Sequence, residues 1–250
     1  VSAVEAKGLG RRVPSDWNHV EKFPLSALPE SAQPVGPVVL GINWYGDFDT
    51  PVKKGADWFI GLNAQSLGSV RGGHCVCLEP GRNGMKDTVA NYRFYNQGHE
   101  GACVGFGSSR AMSLLNRQKY YARWLWDHAK MTDEWPDTNP GDDNGTSVRA
   151  AMDILRLQGH VLWKAKYASE DVPTRDAHPA SLQEGIFAFR WATSTDDVLK
   201  TLENAKATRL GAVPILNSWG SSYPQRVWMP VETLDRLRRE EGEIAVITDR

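Results

Sequence analysis

The chain has 250 residues, 41% of them hydrophobic and 24% charged, enough to bury one substantial core or the cores of two small lobes. Its 29 basic and 30 acidic residues leave a formal net charge of -1, so no overall field draws it to nucleic acid or to anionic lipid. No apolar run approaches the roughly 20 residues that a membrane-crossing helix needs, and Val1–Arg12 lacks the apolar stretch of a secretory signal.

Pro and Gly cluster at residues 24–37, 68–73, 80–84 and 136–145, which predicts loops there. Between the first two clusters the β-rich run 38–45 predicts a strand, and His74-Cys75-Val76-Cys77-Leu78 predicts a second, short one. From Cys103 to about Arg117, Val104, Ala111, Leu114 and Leu115 recur at helical spacing, and 120–131 continues in that style with Trp124, Leu125 and His128. Asn144-Gly145-Thr146-Ser147 supplies capping chemistry for a helix over 148–158 that turns Ala151, Ile154 and Leu155 inward and stops at Gly159. Thr193-Ser194-Thr195-Asp196 opens another helix to about Asn204, and 212–216 and 244–247 read as strands on either side of a charged helix over 231–239. A block of helices between strands at both ends predicts the α+β class with a cleft between lobes. The expected organisation is one domain over 1–250, its β-rich lobe about 1–95 and 185–250 and its mainly helical lobe about 96–184.

Only three cysteines occur, Cys75, Cys77 and Cys103, an odd and sparse set that argues against a disulfide scaffold and leaves a thiol for chemistry. Cys103 opens a predicted helix, where unpaired backbone N–H groups favour a thiolate. It follows the loop Asn96-Gln97-Gly98-His99-Glu100-Gly101-Ala102, whose glycines let the backbone pass close to a substrate carbonyl. The Gln97 amide is placed to donate one hydrogen bond to a developing oxyanion while the Cys103 N–H donates the other. The bland alternative is a buried structural cysteine at a helix start.

Gln97-Gly98 followed by Gly101-Ala102-Cys103 resembles the nucleophile segment of the papain family, and Asn217-Ser218-Trp219-Gly220 resembles that family's Asn-Ser-Trp-Gly. Weaker likeness extends to Val13-Pro14-Ser15-Asp16-Trp17, to residues 143–149, and to the run from Val227 to Ile247, which is similar to the end of bacterial and phage-encoded members. The resemblance implies a papain-like two-lobed fold, Cys103 as nucleophile, Asn217 holding the catalytic imidazole, and Trp219 shielding that bond. It also implies a substrate-binding surface at Gly73, Gly101 and Trp219, a polypeptide substrate, no cofactor and no metal. The base departs from the family's order. No histidine lies between residues 196 and 217, whereas 36–45, a loop, and Gly72-Gly73-His74-Cys75-Val76-Cys77-Leu78 resemble the missing piece, with His74 as base. A circularly permuted or segment-swapped papain fold, with motif order His, Cys, Asn, is the expectation.

Among the rival histidines, His99 is a subsite or surface residue, His128 packs on a helix face, and His19, His160 and His178 read as ordinary exposed side chains. His74, Cys75 and Cys77 have metal-binding chemistry, but strand alternation sends the cysteines to the face opposite the histidine. The oxygen-rich loop 137–145 lacks the spacing of a calcium-binding hand. The resulting expectation is a thiolate–imidazolium cysteine peptidase, cytoplasmic or virion-associated, of open oligomeric state. The alternatives are a permuted amidase or acyltransferase on cell-wall or lipid amides, and an inactive papain-fold structural module of a phage particle.

Overall fold

Residues 38–45 alternate between two buried faces, and this period-two pattern builds strand β1 (Val38–Tyr45) into the middle of a sheet. The computed structural model describes residues 35–81, 95–135, 145–163, 185–240 and 242–249. The expectations placed on Val13 to Trp17, His19, the 137–144 stretch and His178 lie outside them. β1 pairs antiparallel with β4 (Val70–Leu78) from Val38↔Leu78 to Trp44↔Gly72, which sets Ile42 opposite His74. The predicted second strand is therefore longer than its apolar residues suggested. Val70 to Gly73, expected as loop, are exposed but extended, because β1 supplies their hydrogen-bonding partner.

Between β1 and β4 lies a small hairpin, β2 (Val52–Lys54) and β3 (Asp57–Phe59), turned at Gly55 with φ of 62°. The remaining strands are β5 (Ala188–Trp191), β6 (Ala212–Leu216), β7 (Val227–Pro230) and β8 (Glu243–Asp249). All eight form one sheet in the order β2-β3-β7-β6-β4-β1-β8-β5, antiparallel except for the single β3–β7 bridge. The N-terminal pair β1–β4 is thus inserted between two C-terminal strands, β6 and β8.

The sheet's two faces bury separate cores. On one, α1 (Cys103–Asn116), α2 (Ala122–Lys130) and α3 (Val148–Leu157) cover Val39, Cys75, Cys77, Ala245 and Ile247. On the other, Leu40, Ile42, Val76, Leu78 and Val246 meet Val198 and Leu202 of α4 (Thr195–Leu202) and Leu234 and Leu237 of α6 (Val231–Arg239). A short α5 (Ala205–Leu210) leads into β6. The caps follow local chemistry: Ser147 Oγ accepts the Ala150 N–H, Ser194 Oγ the Asp197 N–H, and Asn204 Oδ1 the Lys206 and Ala207 N–H groups. The chain is a mixed helix and sheet protein. Among the described residues no helix is long and apolar enough to cross a membrane.

Candidate active site

Two glycines allow α1 to lie close to its neighbours. A Cβ on Gly105 would stand 2.6 Å from the Ala122 carbonyl oxygen, and one on Gly107 would stand 3.0 Å from Cys75 Sγ. The helix therefore rests on α2 and on β4, with Cys103 as its first residue. Its N-cap, Ala102, offers no side chain to the first-turn N–H groups. Burial pushes the Cys103 thiol pKa up, and the nearby backbone N–H groups of Cys75, Val104 and Cys103 itself pull it down. Because Cys75 follows His74 directly, the sulfur is docked on the strand that carries the imidazole.

His74 marks the point where β4 passes from exposed to buried, and it is itself only 8% exposed. β6 pairs with β4 only at Cys77 and Leu78, so the chain leaves the sheet at Leu216 and Asn217 turns back toward the imidazole. Asn217 Oδ1 lies 2.8 Å from His74 Nε2 and 2.8 Å from the Ser218 backbone N. A backbone N–H only donates, so the Asn217 atom facing it is the oxygen, and the imidazole nitrogen that also faces this oxygen carries the proton. In neutral His74, Nδ1 is then left as the basic nitrogen. Trp44 and Trp219 enclose the ring at centroid distances of 4.6 and 5.1 Å. This desolvation lowers the His74 pKa to about 4, against the opposing Asn217 hydrogen bond and Asp49 charge.

The Gln97 loop is tied to the Asn217 loop along its length. Gln97 N–H donates to the Ser218 carbonyl at 2.9 Å, Gly220 N–H donates to the Tyr95 carbonyl at 3.0 Å, and Asn96 bridges to Trp219. The Gln97 side chain is fixed at both atoms: the Ser218 hydroxyl donates to Oε1 at 2.5 Å, and Nε2 donates to the Glu100 carbonyl at 2.9 Å. Since a carbonyl only accepts, the amide's orientation is set, and its second N–H points elsewhere.

Of the residues singled out from sequence, His74 and Asn217 are in direct contact, Cys103 is docked through Cys75, and Gln97 is anchored to the residue after Asn217. Gly73 is exposed, with open space where its Cβ would stand, while Gly101 and Trp219 are half-buried. Cys75 and Cys77 pack into the helical core and His74 against the opposite face's aromatics, so the three do not converge. No group of three or more His, Cys, Asp or Glu side chains among the described residues is arranged to hold a metal ion.

His99 is exposed on its loop, and His128 stacks on Trp124 at 4.1 Å as expected of a packing residue. His160 corrects the expectation of an exposed side chain. It is fully buried, stacked on Tyr120 at 4.7 Å, accepts the Val161 N–H at Nδ1, and donates from Nε2 to Ser109 Oγ at 2.7 Å. It follows the helix-ending Gly159, a position that reads as loop, but α1 and α2 close over it. Three contributors escaped sequence reading. Ser218 orients Gln97, Trp44 walls the imidazole, and Asp49 accepts from Trp44 Nε1 at 2.9 Å. Trp44 had a readable signal, since it follows Ile42 on the same face of β1; Asp49 had none.

No family model matches the chain, and no curated protein matches it. Among solved structures, the chain is similar to the crystal structure of xylellain, a cysteine protease from Xylella fastidiosa. The two share 14% identity over 69% of this chain and 92% of that one, with a TM-score of 0.47.

Proposed function

We propose that the chain is a papain-like cysteine peptidase with Cys103 as nucleophile, His74 as base, Asn217 as the residue positioning the base, and Gln97 in the oxyanion hole. The observation that carries this reading is the 2.8 Å His74–Asn217 contact between residues 143 apart, formed on the strand where the helix-start thiol docks. A buried imidazole fixed in one tautomer, on the strand next to the helix that begins with Cys103, supports this reading, since general-base activation of sulfur requires an oriented basic nitrogen. The order His, Cys, Asn fits a permuted version of the fold, in which the inserted β1–β4 pair brings the base to strands that follow the nucleophile in sequence.

Burial favours neutral His74 and a neutral Cys103 thiol, so the standing ion pair expected from sequence gives way to proton transfer in step with attack. His74 Nδ1 takes the thiol proton as sulfur bonds to the carbonyl carbon. The second Gln97 N–H and the Cys103 N–H hold the oxyanion. Collapse breaks the C–N bond, and the proton on Nδ1 passes to the leaving amine. Water, deprotonated by the same nitrogen, then releases the acid and regenerates the thiol. The test is iodoacetamide labelling with mapping of the modified cysteine, together with turnover of denatured casein, peptidoglycan and a lipid ester. Labelling first at Cys103 and cleavage of casein are expected. Labelling first at Cys75 or Cys77, or full activity in Cys103→Ala, overturns the assignment, and turnover of peptidoglycan or lipid alone moves the protein to the amidase and acyltransferase class.

A further inference from the structure

An open cavity of about 460 Å³ lies behind the aromatic wall of the site, lined by Asp49, Pro51, Trp58, Ser222, Tyr223 and Gln225 among others. It shares that wall with the imidazole. Tyr223 meets Trp219 edge-on at 5.0 Å and donates its hydroxyl to the Phe48 carbonyl, while Asp49 holds Trp44, whose ring is 4.6 Å from His74. Neither α1 nor the Gln97 loop contributes a lining residue, so the cavity is on the flank of the imidazole and away from the sulfur.

A leaving amine must reach His74 to collect its proton, so the part of a substrate beyond the scissile bond runs over this flank. Among the described lining residues Asp49 is the only charged one, and Trp58, 36% exposed, offers an indole face. A carboxylate and an indole together suit a cation. The chain's own cations already use both: Arg71 Nε is 3.4 Å from Asp49 Oδ2, and Lys53 Nζ stands 5.6 Å above the Trp58 ring. Arg71 is 63% exposed, and an ion pair so solvated exchanges readily for an incoming one.

We propose, building on the peptidase reading, that this cavity binds a lysine or arginine side chain on the leaving-group side of the substrate, with Asp49 as the residue that selects it. The experiment measures binding to Cys103→Ala of peptides identical except for Arg, Gln or Glu past the scissile bond, alongside cleavage of the same peptides by the unmodified chain. Preference for Arg over Glu of about tenfold is expected, falling toward one in Asp49→Asn, whose side-chain oxygen still accepts from Trp44, and rising in Arg71→Ala. Equal binding of Arg and Glu peptides, or a preference unchanged in Asp49→Asn, overturns the proposal. Selective binding without cleavage keeps the cavity and removes the peptidase, whereas cleavage without selectivity removes only the cavity.

Discussion

Two backbone groups with one hydrogen-bonding option each, the Ser218 N–H and the Glu100 carbonyl, set the orientation of the amides at the site. Ser218 N–H fixes Asn217, Asn217 fixes His74, and the Glu100 carbonyl and Ser218 hydroxyl fix Gln97. Two substitutions probe this set. Gln97→Ala should lower kcat about a hundredfold, because it deletes an oxyanion donor, and should also lower thermal melting, because it strands the Ser218 hydroxyl and the Glu100 carbonyl. Asn217→Ala should cost both, since it strands the His74 and Ser218 N–H groups at about 1–3 kcal/mol each, seen as a lower denaturant midpoint. The pH dependence follows from burial. With neutral Nδ1 as base and a folded pKa of about 4, activity should persist well below the usual imidazole value of 6.5 and fall only as pH drops through about 4; an acid limb near 6.5 in kcat/KM would show that water reaches the ring. The residues of the proposed site stood out in the sequence because that chemistry demands rare residue types in short motifs. Asp49 and Ser218 act through space on those participants, and no local pattern announces such a role.

At the scale of elements, β1, α1, α3, β6 and α6 were readable because a hydrophobic period and a cap or turn residue coincide at each. β2 and β3 were not, as their exposed residues Val52, Lys53 and Trp58 carry no buried alternation. The close seating of α1 is also invisible from sequence, yet it determines where the thiol lies. Gly105→Ala should drive α1 from α2 at a cost of about 1–3 kcal/mol, measured by chemical denaturation, because the added methyl meets backbone and Trp126 Cβ with no flexible atom to yield. The same helix buries His160 against Ser109, with a pKa held down to about 3 by desolvation. Its folded pKa lies below the unfolded value, so the unfolded chain takes up the proton first. Stability is full above about pH 6.5 and declines as pH falls toward 3, by on the order of a few kcal/mol. Replacing the pair in Ser109→Ala, His160→Phe should lessen the fall of the melting temperature over that window, buried His74 supplying a further part of it, and an unchanged slope would assign the acid sensitivity to other groups.

Across the whole molecule, the two ends of the described chain are joined by charge as well as by strands. Buried Glu79, just after β4, receives two hydrogen bonds from Arg226, just before β7. Arg226→Ala should cost about 1–3 kcal/mol by stripping a buried carboxylate of two hydrogen bonds, while the double change Glu79→Leu, Arg226→Ala should recover much of it. Strand order was the least legible feature, since nothing local to β1 or β4 names β6 and β8 as their neighbours. That order has a consequence for synthesis. On a ribosome, the imidazole and then the thiol emerge long before Asn217, 143 residues after His74, and before the two late strands that must flank the early hairpin. A nascent polypeptide therefore holds the imidazole and the sulfur without the asparagine that pairs with the ring, so the proposed peptidase activity requires the final strands to close.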